Sequence, residues 1–218
     1  MSIRDFMTKN LIVVQPDIKI FDAVDLMKKN DIHRLPVVQN ERLVGLLTEG
    51  TIQAAMPSQA TSLSVYEVNY LLNKTTAADI MVKNVLTVDP EASLEDGIYK
   101  MRTNNVGVLP VVDSKGELNG IITNNDIFDA FLKITGYHEG GTRIQLRILE
   151  DHKGILAAIT KLLSDNDFSI TNIVVHRKEL ETILEMQIES RETEKIEKVL
   201  KEAGYDVFEA VLLSKQEK

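Results

Sequence analysis

The hydrophobic and polar positions of residues 1–134 repeat one series of elements twice. Each series opens with a short apolar run, LIVV (11–14) or VLTV (85–88), which predicts a strand that ends at a proline. Apolar residues at helical spacing follow and predict a helix. In the two series these residues are Ile20, Val24 and Met27, and Leu94, Ile98 and Met101.

Two apolar runs around a polar turn come next in each series and predict a strand pair. The turns cover 39–42 and 113–117, and the sequence LPVV precedes both. A second helix is expected to start near Thr51 in the first series and near Asp126 in the second. The predicted order is therefore β-α-β-β-α, twice.

Superposing residues 3–38 on 77–112 shows that the two series are copies of one another. At this offset of 74, 13 of 36 positions are identical, where chance would give roughly two. One inserted residue near Gly116 then shifts the offset to 75, which aligns GLLTEGTI (45–52) with GIITNNDI (120–127). In that alignment Asp126 of the second copy corresponds to Thr51 of the first.

After the glycine-rich stretch 135–141 the pattern changes to β-α-β-β-α-β, the ferredoxin-like order. The predicted strands are 142–149, 168–177, 182–190 and 205–213, and the predicted helices are 154–166 and 194–204. Gly204 lies where a glycine commonly ends a helix. The fold class is thus α+β.

Composition and charge exclude several functions. The net charge of −8 and the pI of about 5.1 argue against nonspecific binding to nucleic acid, and the absence of cysteine excludes thiolate catalysis and cysteine-bound metals. The four histidines show no metal-ligand spacing, and no catalytic motif is present, so no catalytic, metal or cofactor site is predicted. Without a membrane-length apolar run or a signal peptide, a cytoplasmic protein is expected.

The motifs resemble two known families. LPVVDSKGELNGIITNNDI (109–127) resembles the signature of CBS domains, and DHKGIL (151–156), which follows a strand, resembles that of ACT domains. A tandem CBS pair followed by an ACT domain is similar to the acetoin-utilisation regulator (AcuB) type. The implied domains are 1–58 and 77–134 (CBS units), 59–76 (a connecting segment with a short helix, VYEVNYLL), 135–141 (linker) and 142–218 (ACT domain).

The resemblance implies two clefts between pseudo-symmetric CBS units, of which the one containing Asp126 is expected to bind an adenosine nucleotide of the AMP, ADP or ATP type. The carboxylate of Asp126 would accept bonds from two ribose hydroxyls, and Arg34 would bind phosphate. The expected nucleotide-binding residues are Leu11, Ile12, Ile32, His33, Arg34, Thr123, Asn125 and Asp126.

Other interpretations of these residues remain open at this stage. Asp126 is also suited to cap a helix, Arg34 to be a surface charge, and His33 to pack within the fold. The second cleft would combine Thr48 and Thr51 with Val85, Leu86, Val106 and Gly107, and has Val108 in the position of Arg34. Because it lacks both the carboxylate and the arginine, it is expected to be weak or empty.

In the ACT domain the turn DHKGIL is a second candidate site, for a free amino acid. Asp151 would accept from the ammonium group, and the amides after Gly154 would hold the carboxylate. The candidate residues are Asp151, Lys153, Gly154, Ile155 and Leu156. The alternative is a plain turn in a domain that only pairs subunits.

The favoured hypothesis is a regulatory sensor that modulates a partner enzyme or transporter and forms a homodimer. The competing hypotheses are a ligand-free oligomerisation or adaptor protein and, less favoured, a small nucleotide hydrolase.

Overall fold

The computed structural model describes residues 1–56, 70, 73–177 and 181–215, and the chain forms two compact units, Met1–Ile127 and Phe128–Lys218. Apart from Tyr70, the predicted connecting helix VYEVNYLL lies outside the described residues. Within the described ranges, every helix is too short or too polar to cross a bilayer.

The first unit contains both copies of the repeat. In the first copy a 3-10 helix, Ile3–Asp5, precedes α1 (Ile20–Asn30), the hairpin of β1 (Arg34–Gln39) and β2 (Arg42–Thr48), and α2 (Glu49–Ala55). In the second copy the corresponding elements are α3 (Ala77–Ile80), α4 (Leu94–Asn104), β3 (Val108–Val112), β4 (Leu118–Thr123) and α5 (Asn124–Ile134), of which residues 124–127 belong to the first unit. The duplicated order predicted from the sequence is confirmed, with two differences.

The first predicted strand of each copy is reduced to a single bridging residue. The amide of Val14 donates to Pro36 O at 3.0 Å, and the amide of Val38 donates to Val14 O at 2.9 Å. To extend this parallel ladder back over the predicted strand 11–14, residue 36 would have to donate to Ile12 O, but residue 36 is a proline and has no N–H. Val88 forms the same single bridge in the second copy.

The second helix of each copy begins two residues earlier than the sequence suggests. Helix α2 begins at Glu49 and α5 at Asn124. Thr51 and Asp126 are therefore the third residues of their helices, and the threonines that precede the helices, Thr48 and Thr123, take the capping position.

The two copies exchange their N-terminal segments. Residues 1–8, the first arm, pack on the second copy: the amide of Ile3 donates to Ala92 O at 2.9 Å, and Leu94 donates to Met1 O at 3.1 Å. The arm ends at Thr8, whose amide and carbonyl both bond to Ile121 of β4. The first arm therefore belongs structurally to the second copy.

Residues 75–82, the second arm, make the equivalent bonds to the first copy. Ala77 donates to Ile18 O at 2.9 Å, and Ile20 donates to Thr75 O at 3.0 Å. Val82 bonds to Leu46 of β2 through both backbone groups. The exchange is thus reciprocal, which gives the unit its pseudo-twofold symmetry.

A glycine in each hairpin makes room for the exchanged arm. A Cβ atom on Gly120 would lie 2.8 Å from Thr8 O and 2.8 Å from the sulfur of Met7, and one on Gly45 would overlap the side chain of Met81. Both positions require glycine because the arm approaches the strand closely at the same place in both copies.

A second contact, between the first arm and α4, pairs a large side chain with a glycine. Ile3 is fully buried, and its Cδ1 would lie 2.6 Å from a Cβ on Gly97 of α4. At the corresponding positions of the other half, Ala77 and Ala23 are both fully buried in one core cluster. A large residue facing glycine in one half thus corresponds to two alanines in the other.

Each arm also carries a capping pair that the repeat preserves. The amides of Ser2 and Thr76 donate to carboxylate oxygens of Asp5 and Asp79 at 3.0 and 2.8 Å. These bonds hold the pKa of both aspartates below the usual value. Because the pKa is lower in the folded state, each carboxylate stabilises the fold at pH values above its unfolded-state pKa. This contribution is lost as the pH falls through the folded-state pKa.

The second unit contains a four-stranded antiparallel sheet in the order β6-β7-β5-β8 with two helices. The elements are β5 (Gly141–Ile148), α6 (Ile155–Asp165), β6 (Ile170–Arg177), β7 (Thr182–Ile188), α7 (Thr193–Glu202) and β8 (Asp206–Leu213). Alternate strand residues such as Leu146 and Met186 form a core with Ile159, Leu163 and Ile196 of the helices. The predicted ferredoxin-like order and the α+β class are confirmed.

The stretch predicted as a linker is a packed series of turns. Gly136, Gly140 and Gly141 have φ values of +69, +70 and +89°, and the side chain of Gln187 donates to Gly140 O. His138, which lies within these turns, is half-buried and its Nδ1 is fully buried. Packing of the glycine turns against β7 accounts for the difference.

The exchanged arm yields a prediction about stability. Ile3→Ala should lower the free energy of unfolding by about 2–4 kcal/mol, because it opens a cavity at a fully buried site. Gly97→Ala should cost about 1–2 kcal/mol through the clash with Ile3, despite the better helix propensity of alanine. The double variant reproduces the Ala77–Ala23 arrangement and should recover about 1–2 kcal/mol relative to the sum.

Urea unfolding of the wild type, both single variants and the double variant measures this coupling. Val13→Ala, at a side chain 43% exposed, is the control and should change stability by less than about 0.5 kcal/mol. Strict additivity of Ile3→Ala and Gly97→Ala would show that the side chain of Ile3 is not coupled to position 97 of α4.

Candidate functional site

Asp126 forms a reciprocal capping pair with the threonine before its helix. Its Oδ2 accepts from the amide of Thr123 at 2.7 Å and from the Thr123 hydroxyl at 2.6 Å. The Asp126 amide donates to the Thr123 hydroxyl at 3.4 Å. The capping interpretation of Asp126 is therefore realised, although from the third helical position.

The other oxygen of Asp126 faces the first arm. The Thr8 hydroxyl donates to Oδ1 at 3.1 Å, across 118 residues of sequence. Thr8 is absent from the site predicted above, although the sequence contains a signal for it: at the repeat offset Thr8 corresponds to Val82, so the hydroxyl and the carboxylate are lost from the same half. Only the arm exchange shows that the two residues meet.

Arg34 reaches from the first copy to the start of α5 in the second. A Cβ atom on Gly107 would lie 3.4 Å from Nη2 of Arg34 and 3.1 Å from Nδ2 of Asn124, and the Asn124 amide donates to Gly107 O at 3.3 Å. Arg34 is half-buried and forms no ion pair with any residue in the described ranges. Gly107, which the resemblance places in the second cleft, instead provides the space for this guanidinium.

The structure places His33 at the start of α2, in its own copy. Its Nδ1 lies 3.0 Å from Oε1 of Glu49, and its carbonyl accepts from the Glu49 amide at 3.2 Å. Both side chains are more than 60% exposed, so this contact contributes little to stability. The imidazole thus contacts the helix that follows Thr48, not the one that contains Asp126.

The apolar candidates lie beside the core of the first copy. Ile12 and Ile32 are half-buried and pack against it, and the Ile32 amide donates to Met27 O at 3.0 Å. The Leu11 amide donates to Lys9 O at 3.0 Å. Among these three residues, only Ile12 keeps both its amide and its carbonyl without a partner in the described part of the chain, so its backbone is the best placed to pair with a ligand edge.

These contacts define what we call the Asp126 cluster. It consists of Thr8, Arg34, Gly107, Thr123, Asn124 and Asp126. Asn125, which was expected to bind the nucleotide together with Thr123 and Asp126, is exposed in the first turn of α5. Its neighbour Asn124 makes the contact with Gly107. The cluster combines a carboxylate, a cation, amide and hydroxyl groups, and the positive end of a helix dipole.

The corresponding residues of the other half lack the arginine, the aspartate and the arm threonine, and have His33 and Glu49 at the positions of Gly107 and Asn124. The Thr51 hydroxyl donates to Thr48 O at 2.8 Å and accepts from the Thr48 amide at 2.9 Å, so the capping geometry is retained without a carboxylate. Val82 and Val108 replace Thr8 and Arg34. The hairpin and helix start thus have the same backbone arrangement in both halves, whereas Thr8, Arg34 and Asp126 are replaced in the other half by Val82, Val108 and Thr51.

In the turn before α6 of the second unit, the Asp151 carboxylate and the Ile155 amide already have partners within the protein. Gly154 has a φ of +94°, and a Cβ atom there would meet no atom within 4 Å, so glycine is needed for backbone conformation. Asp151 lies 3.7 Å from Nε of Arg177, and the Ile155 amide donates to His152 O at 3.3 Å. Leu156 is 40% exposed, and Lys153 is also exposed in this turn.

Comparison with known families identifies both units. The CBS domain family matches residues 3–58 and 77–133, together more than half of the chain, and the ACT domain family matches residues 142–204. A CBS domain-containing protein of Dictyostelium discoideum is 31% identical over 133 residues, which cover 61% of this chain and 92% of that protein.

Several solved structures are similar to the chain over about 60% of its length. CBSX2 in complex with AMP has a TM-score of 0.53 at 29% identity and covers 61% of this chain and 97% of its own. A putative acetoin utilization protein (AcuB) from Vibrio cholerae has a TM-score of 0.53 at 28% identity and covers 64% and 96%. The CBS pair of protein MJ0100 in complex with 5′-methylthioadenosine and S-adenosyl-L-methionine has a TM-score of 0.50 at 29% identity and covers 60% and 99%.

The duplicated hairpins and the ferredoxin-like sheet thus agree with these matches, and the chain belongs to the CBS domain family, with a tandem CBS pair followed by a C-terminal ACT domain.

Proposed function

We propose that the protein is a regulatory sensor that binds an adenosine nucleotide at the Asp126 cluster. The observation that carries this proposal is the half-buried residue Arg34, whose guanidinium has no anionic partner among the described residues and lies beside Asn124 at the start of α5. A partly desolvated cation next to a helix N-terminus is suited to bind phosphate. That CBSX2 and MJ0100 were solved with adenosine compounds supports the choice of ligand.

Each group of the cluster has a distinct role in this proposal. Asp126 accepts from the ribose, Arg34 and the first-turn amides near Asn125 bind phosphate, and Thr123 holds the carboxylate in place. The Ile12 backbone pairs with the adenine edge, while side chains of Leu11 and Ile32 flank the ring. His33 is the weakest member of the proposed site because its imidazole contacts Glu49.

The proposed output is regulation of another protein. CBS and ACT domains are regulatory modules, and a ligand that binds two arrangements of the chain unequally shifts their populations. The target, an enzyme or a transporter, would respond to that shift. We further propose a homodimer, on the basis of the similarity to ACT domains.

A ligand-free adaptor is the second candidate, and one observation favours it. The internal bonds from Thr123 and Thr8 engage both oxygens of Asp126, so the carboxylate already has a structural role without a ligand.

For the ACT domain we propose a free amino acid as ligand at the turn 151–156. The ammonium group would compete with Arg177 for Asp151, whose 3.7 Å separation and exposed setting make the existing ion pair weak. The exposed amides at the start of α6 would receive the carboxylate.

Removing the carboxylate of the cluster should abolish most nucleotide binding. Asp126→Ala should weaken AMP binding about 10- to 100-fold, the range for losing a bond to a charged group, as measured by calorimetric titration. Thr51→Ala, the equivalent change in the other half, should leave the affinity unchanged. If the wild type binds no adenosine compound at millimolar concentration, the adaptor hypothesis replaces the sensor.

Arg34 should act on the phosphate alone. Arg34→Gln should weaken AMP binding about tenfold and leave adenosine binding unchanged. Gly107→Ala should have a smaller effect in the same direction, because its Cβ would crowd Arg34 and Asn124. Arg42→Gln, at an exposed hairpin position, is the matched control, and equal losses for AMP and adenosine would show that Arg34 does not contact the phosphate.

A panel of free amino acids tests the ACT proposal by thermal unfolding. At about ten times its dissociation constant, the correct ligand should raise the midpoint by about 3 °C, and Asp151→Asn should remove this shift. Lys161→Gln, on the exposed surface of α6, is the control. An unchanged midpoint with every amino acid would leave subunit pairing as the role of the domain.

A further inference from the structure

We propose that Thr8 forms the second half of a diol clamp, so that the ligand is held jointly by the second copy and the first arm. One ribose hydroxyl would donate to Oδ1 of Asp126, and its neighbour would bond to the Thr8 hydroxyl. This inference rests on the proposed nucleotide site and specifies how the site recognises the sugar.

The hydrogen bonds of Asp126 point to this division. Oδ2 already accepts two short bonds from Thr123, at 2.7 and 2.6 Å, and a carboxylate oxygen has about two acceptor sites. Oδ1 accepts only the 3.1 Å bond from Thr8 among the described residues. The remaining acceptor capacity is therefore on the oxygen that faces Thr8, and a single oxygen is poorly placed to receive both hydroxyls of a diol.

Thr8 is suited to receive the second hydroxyl. Its side chain is exposed, and a threonine hydroxyl can rotate to donate or accept. Its backbone is fixed by two bonds to Ile121, at 2.9 and 3.0 Å, and by the close approach of its carbonyl to Gly120. The hydroxyl is thus held at a defined position beside Asp126.

The other half of the unit shows that docking of the arm does not require this hydroxyl. Val82 makes the same two backbone bonds to Leu46, both at 3.0 Å, and the adjacent Thr51 caps its helix without a carboxylate. Threonine is therefore present only where it faces the carboxylate. A valine at position 8 should preserve the arm, which makes Thr8→Val a clean test.

A clamp shared in this way links ligand binding to the arm. The first arm joins the two copies through residues 1–8, so a ligand bonded to both Thr8 and Asp126 would stabilise the docked arm by its binding free energy. Amide exchange at Thr8 and Ile121 should accordingly slow when AMP binds.

Titration of the full chain with AMP, 2′-deoxy-AMP and 3′-deoxy-AMP tests the proposal. The wild type should lose about five- to tenfold in affinity for each deoxy compound, one hydroxyl bond each. Thr8→Val should bind AMP about fivefold more weakly and should no longer discriminate against one of the two deoxy compounds. Thr8→Ser should retain both discriminations, and Val82→Thr, in the other half, should change nothing.

The outcomes separate this inference from the proposed function. If the wild type binds AMP and Asp126→Ala does not, but Thr8→Val weakens all three ligands equally or none, Thr8 has at most a structural role and the clamp is rejected. If the wild type binds none of the three compounds, the nucleotide site itself fails. Thermal unfolding checks that Thr8→Val is folded, and Thr8→Ala replaces it if it is not.

Discussion

The exchange of N-terminal arms is the constraint on which the CBS pair depends. Each arm satisfies its backbone groups on the opposite copy, through Thr8 and Ile121 in one half and Val82 and Leu46 in the other. Neither copy can therefore complete its own hairpin edge. Gly45 and Gly120 remain without side chains because the exchanged arms approach them closely.

The same exchange turns a symmetric scaffold into an asymmetric site. Equivalent positions in the two halves have the same backbone contacts, so substitutions at these positions change chemistry without disturbing the fold. Thr8, Arg34 and Asp126 lie at one helix start, whereas Val82, Val108 and Thr51 occupy those positions at the other, beside the His33–Glu49 pair. A duplicated fold can thus carry different side chains at equivalent positions of its two halves while keeping the same backbone contacts.

Much of this architecture could be predicted from the sequence, since repeat identity, hydrophobic periodicity and turn residues are local properties of the chain. The first strand of the first copy is shorter than predicted because Pro36 has no N–H to donate to Ile12, so the ladder begins only at Val14. The candidate site was partly predicted: Arg34 does reach the helix that contains Asp126. His33 was expected in the cleft with Asp126 and Gly107 in the cleft with Thr51. In the structure each residue lies against the helix of its own copy, so His33 is beside α2 and Gly107 is beside α5.

By itself the sequence determined the duplicated elements, the ferredoxin-like second unit and the loss of Asp126 and Arg34 from one copy. Only the tertiary structure decided which groups meet: Thr8 and Asp126 are 118 residues apart, and a repeat pattern is equally compatible with an arm packed on its own copy or on the other. The reason is physical. Periodicity records which side chains are buried, whereas the partner of a hydroxyl or carboxylate depends on backbone pairing between distant segments.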